Sequence, residues 1–113
     1  MSQPTIQQII DGMPSRFDPV AANGLAAVLQ FRLTGGGAVD FYAIIGGERC
    51  ETHRGLHEKP TLTLRMSTST YIDMVMGKLT GQEAFFKRKL RYEGPISLAV
   101  KLHRLFRSPE WNN

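Results

Sequence analysis

The residues of this chain best suited to chemistry stand close together. Cys50, His53 and His57, with Glu51 and Glu58 among them, fall in "RCETHRGLHE". Thiolate, imidazole and carboxylate are the ligand types of a zinc site, but such a site needs converging groups. Here there is no second cysteine, and the stretch reads as one short polar strand followed by a loop. Charged residues on such a strand ordinarily protect a sheet edge. A nucleophile made of Cys50 and a histidine would also need oxyanion donors, and nothing in the sequence supplies them. "TGGGA" (34–38) lacks the Lys-Ser/Thr pair of a phosphate loop and joins two strands, whereas phosphate loops lead into a helix. No carboxylate pair is placed in a cleft. The expectation is a protein with no catalytic residue, no metal and no cofactor, and so not an enzyme.

The cations are the next candidates. Lysine and arginine number 14 against 10 acids, a formal net charge of +4, which permits anionic partners without demanding them. They are densest in "MGKLTGQEAFFKRKLRYEG" (76–94), where Lys87, Arg88, Lys89 and Arg91 follow Phe85 and Phe86. Lys89 and Arg91 alternate with Leu90 and Tyr92, as on the solvated side of a strand. Lys87 and Arg88 fall at a helix end, where cations complement the dipole. Lys101, Arg104 and Arg107 line the polar side of the last helix. The plain reading is a solvated face. The sharper one is transient docking on an anionic membrane surface, where each cation contributes about 1 kcal/mol before screening. Nucleic acid is not expected: no aromatics are spaced along strands as stacking platforms, and Phe85 and Phe86 read as interior.

The chain is 113 residues long with 42% hydrophobic and 21% charged residues, the profile of one folded domain over 1–113. A single cysteine excludes an internal disulfide and suggests a reducing, cytoplasmic setting. The start "MSQPTIQQIIDG" does not read as a signal peptide, no apolar run approaches the roughly 20 residues of a membrane span, and "SPEWNN" carries no peroxisomal tripeptide.

The elements that must position these groups are legible from periodicity. Ile6, Ile9, Ile10 and Met13 predict a short amphipathic helix that Pro14 ends. Asp18-Pro19 and Asn23-Gly24 read as turns. The period then becomes two: Leu25, Ala27, Leu29, Phe31 and Leu33 share one face of a strand. Val39, Phe41, Ala43 and Ile45 form the next, and "ERCETHRG" a polar edge strand, giving an antiparallel meander. After the loop "LHEKP", "TLTLRMS" is a fourth strand. It runs into a helix capped by Ser67 or Thr68 and closed by Gly77. Met66, Met74 and Met76 cluster around this junction, as core filling or as an adaptable apolar wall. Thr80 and Glu83 have capping-box spacing for a second short helix. "KLRYEG" is the last strand, and Pro95 would start the C-terminal helix at its first position. In that helix Ile96, Leu98, Ala99, Val100, Leu102, Leu105 and Phe106 cover roughly 220° of arc, where a helix on a sheet needs little more than about 100°. The surplus must meet another helix, a second subunit or an apolar ligand.

"TLTLRMSTSTYIDMVMGKLTGQEAFFKRKLRYEGPISLAVKL" resembles the sterol-binding domain of the sterol carrier protein type-2 family. Gly77, Lys78 and Leu79 match its turn. Ala84, Phe85, Phe86, Lys89, Leu90 and Gly94 match its middle stretch, and Leu98, Ala99, Lys101 and Leu102 its last helix. "FDPVAANGLAAVLQFRLTG" looks like the start of single-domain bacterial members. Thr80-Gly81 stands where the family usually has Asn-Pro, Arg88 where it has a small residue or glycine, and Pro95-Ile96-Ser97 where it has Asn/Asp-Met-Gly. The resemblance implies an α+β fold: a five-stranded, mostly antiparallel mixed sheet, with helices on one face enclosing an apolar cavity. It implies non-catalytic binding, and transfer, of a lipid ligand such as fatty acid, acyl-CoA, a sterol-like molecule or an isoprenoid. Carry-over and periodicity together place Ile72, Met76, Leu79, Phe85, Phe86, Ile96, Leu98, Leu102, Leu105 and Phe106 around the lipid. Lys87, Arg88, Lys101 and Arg104 are expected at a headgroup or membrane. The alternative is an accessory domain that forms a homodimer or docks on a lipid-modifying partner without transferring lipid.

Overall fold

Strict alternation builds the sheet. In the computed structural model, which describes residues 4–107, β1 (Ala27–Thr34), β2 (Val39–Gly46), β3 (Arg49–Arg54), β4 (Leu62–Ser67) and β5 (Leu90–Glu93) form one sheet in the order β3-β2-β1-β4-β5. All neighbours are antiparallel except β1 and β4. Register puts Leu29 beside Ala43 and Leu62, and Phe31 beside Phe41 and Leu64, on one buried face. Phe31 and Phe41 stack at 4.6 Å, and Tyr71 tilts against both at 5.5 and 5.9 Å.

The helices are α1 (Ile6–Arg16), α2 (Pro19–Ala22), α3 (Thr68–Val75), α4 (Gly81–Phe86) and α5 (Ile96–Leu105). Local sequence explains their ends. Thr5 with Gln8, and Thr80 with Glu83, form reciprocal capping boxes, and the Ser67 hydroxyl accepts the Thr70 amide. Gly77, at φ 79°, closes α3 in a Schellman turn in which the Lys78 amide donates to the Asp73 carbonyl at 2.8 Å.

Three local expectations are corrected. Pro14 does not end α1, which runs on to Arg16. A proline has no amide for the carbonyl four residues back, here that of Ile10. The Thr52 hydroxyl of β3 donates to that carbonyl at 3.3 Å, so the helix survives its proline. Thr52→Val should therefore lower stability by about 1 kcal/mol, the net worth of one buried hydrogen bond, read as a shifted urea midpoint at unchanged slope. Asp18-Pro19 opens a one-turn helix rather than a bare turn, because the Asp18 carboxylate accepts the amides of Val20 and Ala21 and Asn23 caps the turn at φ 50°. Pro95 is the N-cap of α5 and not its first residue: its carbonyl accepts the amide of Ala99 at 3.2 Å.

Over the buried face, α1 lies on β3 with Ile9, Ile10 and Met13 inward, and α2 packs on α5. The far end of α5 clasps the α1–α2 junction. The Asp18 amide donates to Leu105 and the Arg107 amide to Arg16, both at 2.8 Å, while the Phe17 and Phe106 rings lie 5.8 Å apart. The opposite face is polar, with Arg32–Asp40 and Arg65–Glu93 ion pairs, each at 3.2 Å. It also carries Gln30, which is 2% exposed. The loop from β3 to β4 crosses this face. Gln30 holds it, donating to the carbonyls of Phe41 and Gly55 at 3.0 Å and accepting the His57 amide at 2.8 Å.

Candidate functional site

The groups that opened the sequence reading do not converge. Cys50 pairs with Ile45 and is buried under the helices, whereas Glu51 and His53 point to the other face, where His53 lies 3.1 Å from Glu51. Burial, with Glu51 adding to it, pushes the Cys50 thiol up to about 11, so it is a neutral thiol near pH 7. His57 sits edge-on to Tyr42 at 5.1 Å, and its Nδ1 accepts the Lys59 amide at 3.0 Å. Among the described residues no three His, Cys, Asp or Glu side chains are grouped to hold a metal. Burial also raises the Tyr71 phenol and lowers the Arg16 guanidinium. Arg16 donates to the carbonyls of Arg107 and Ile9 at 3.2 and 3.3 Å, while its buried Nε finds no partner among the described residues.

The ten residues expected around a lipid divide into three groups. Leu98 and Leu105 are core residues, 6% and 0% exposed. Ile72, Met76, Leu79, Leu102 and Phe106 are half-buried, and all of them but Met76 pack against the core, as do Met74, Val75, Tyr92 and Ala99. In the sequence Tyr92 stands out only by alternating with Lys89 and Arg91 on the last strand, and so short a strand gives no sign that Phe85 of α4 leans on it. Ile96, Phe85 and Phe86 are exposed, at 64%, 48% and 80%. This corrects the expectation that both phenylalanines turn inward. In α4 the buried residue is Ala84, and a helix of six residues presents one narrow side to the sheet. Phe85 only leans on Tyr92, at 5.8 Å.

The wide apolar arc of α5 is likewise consumed in part, since Val100 stays 62% exposed beside Ile96. Of the cations, Lys87, Arg88 and Arg104 are exposed. Lys101 is half-buried, with its Nζ 3.4 Å from the Ala22 carbonyl. A surface concavity of about 340 Å³ lies at the start of α3. It is lined by Thr34, Ser67, Thr68, Asp73 and their neighbours, and of the ten apolar positions only Ile72 borders it.

A five-stranded mixed sheet in the order β3-β2-β1-β4-β5, covered on one face by helices, is the α+β fold shared with sterol carrier proteins. The chain matches the model of the SCP-2 sterol transfer family over residues 6–107 and belongs to that family. It is 43% identical over 47 residues to the peroxisomal multifunctional enzyme A of Dictyostelium discoideum, a match covering 42% of this chain and 11% of that enzyme. The fold is shared with the stereoselective inverting sec-alkylsulfatase of Pseudomonas sp., with a TM-score of 0.80 at 17% identity over 95% of this chain and 17% of the sulfatase. It is also shared with palmitated SCP2L2 from Aedes aegypti, with a TM-score of 0.69 at 22% identity over 89% of this chain and 93% of that one. The chain thus spans a small part of two of these proteins and nearly all of the third. No helix among the described residues is long and apolar enough to cross a membrane.

Proposed function

We propose that residues 1–113 act as one non-catalytic, cytoplasmic domain that binds a lipid with a long apolar body and passes it on. The observation that carries this reading is the incomplete burial of the helical layer. Leu102 of α5 and Phe106 at its C-cap, with Ile72 of α3 and Leu79 just beyond it, touch the core without being sealed by it. Membership of a sterol transfer family and the fold shared with a palmitated relative support it. An acyl chain entering between these residues and the sheet would gain about 0.8 kcal/mol per buried CH₂, enough for micromolar binding by an ordinary fatty acid.

The test is native mass spectrometry of the purified chain together with titration by a fluorescent fatty acid. Saturable one-to-one binding is expected. Leu102→Gln should weaken it about ten-fold, the equivalent of ~1.4 kcal/mol, with circular dichroism checking that the variant, half-buried at this position, keeps its fold. No bound lipid and no saturable titration would overturn the reading.

A second reading, an accessory or dimerisation domain, is favoured by the exposed Ile96 and Val100 and by the relatives in which the matching segment is a small part of a longer enzyme. A dimer in light scattering that Val100→Asp dissociates, without fatty-acid binding, would favour it.

A further inference from the structure

The surface around residues 85–92 is built unlike the rest of the molecule. Ala84, fully buried, anchors α4 on the sheet, and the next two residues turn out into solvent. The Phe85 and Phe86 rings meet at 6.1 Å, and Phe85 is propped on Tyr92. The chain then reverses in a Schellman turn: the Arg88 amide donates to Phe85 at 3.0 Å and the Lys89 amide to Ala84 at 2.8 Å. The aromatic tip is therefore held by backbone hydrogen bonds at its root. Lys87, Arg88 and Lys89 follow it directly, all exposed, with no acid between Phe85 and Tyr92, whereas Arg91 lies opposite Arg65 on the outer face of the sheet. Among the described residues none of these three cations has an ion pair. The flanking acids are engaged elsewhere, Glu83 by the Thr80 amide at 2.9 Å and Glu93 by Arg65.

Arg88 adds a second observation. It sits at the left-handed position of the turn, φ 61°, which glycine occupies without penalty and other residues at a cost of about 1 kcal/mol. A strained backbone thus carries an arginine in the turn that directly follows the aromatic pair.

We infer that this tip is a docking wedge for an anionic lipid bilayer, with Phe85 and Phe86 entering the interface and Lys87, Arg88 and Lys89 meeting lipid phosphates. Charge selects the occupant. A second copy packed tip to tip would bring six cations together around four rings, whereas an anionic membrane accepts both the rings and the charge. The wedge belongs to the α4–β5 turn and not to α1, whose exposed residues Gln7, Gln8 and Asp11 carry no cation. The inference gives the proposed carrier a surface to load from, and rests on that reading only for its purpose.

The full chain is sedimented with vesicles of phosphatidylcholine alone and of phosphatidylcholine with phosphatidylglycerol, at low and high salt. Binding is expected to the anionic vesicles only, falling with salt. Phe86→Ser should weaken it about ten-fold. Arg88→Gly should weaken it about five-fold while raising the melting temperature, a pair of opposite effects that a merely structural arginine would not give. Equal binding to neutral vesicles, or anionic binding unchanged by both substitutions, overturns the wedge. So does Phe86→Ser dissolving a dimer without touching vesicle binding, or a single-stranded oligonucleotide binding as tightly as the vesicles. The two proposals fail separately: a chain that titrates with fatty acid and ignores vesicles loses only the wedge, and one that docks without binding fatty acid loses only the carrier.

Discussion

Gly94→Ala should cost about 4 kcal/mol, at the upper end of what one methyl group does to a small domain. A Cβ at this position would lie 2.5 Å from the Thr61 carbonyl oxygen and 3.1 Å from the Leu62 Cα. Both are backbone atoms at the start of β4 and cannot turn away. The residue also holds φ 133°, which an L-amino acid rarely adopts. Strain and clash act together, and the chain leaves β5 here to enter α5. A loss of this size is a large share of the roughly 5–15 kcal/mol that stabilises a typical domain. Urea unfolding should show a much lower midpoint, and amide exchange should quicken first in Leu90–Glu93. If Gly94→Ala melted like the parent chain, the close approach of the β5–α5 corner to β4 would be wrong.

Gln30→Leu should cost about 3 kcal/mol, although leucine is apolar and close in size. The side chain is buried on the outer face of the sheet and satisfies the Phe41 and Gly55 carbonyls and the His57 amide. Leucine strands three backbone groups and releases the crossover loop. The local signature is faster exchange of the His57 amide and faster tryptic cleavage after Arg54, while Lys59, followed by proline, stays resistant. Loss of stability without loosening of this loop would mean that Gln30 acts by packing alone.

Alternation was enough to place the strands, because in a half-buried strand the buried set is decided every second residue: Leu29, Phe31 and Leu33 are core as the pattern requires. Helix ends were legible where the signal is local, as at Thr80 with Glu83 and at Gly77. What escaped are effects supplied from far along the chain. Pro14 reads as a stop, and only Thr52, a distant strand residue, makes it tolerable. Gln30 occupies a position that alternation assigns to solvent, and it is buried because a loop 25 residues later returns over it. The site was half legible for the same reason. Period counts the apolar residues of α5 but does not say that α2 and Phe17 cover Leu105 and Phe106 and leave Val100 bare. In α4, one and a half turns give no direction at all, so Phe85 and Phe86 were read as interior and stand outside.

The clasp at the end of α5 also sets the mechanics of the helical cover. At its far end the helix is tied by the Leu105 carbonyl and the Phe17–Phe106 pair, and at its near end Gly94 is wedged against Thr61 and Leu62. An element fixed at both ends cannot swing like a door. A motion of α5 that keeps both anchors is confined to rotation about its own axis, with the two anchors as bearings.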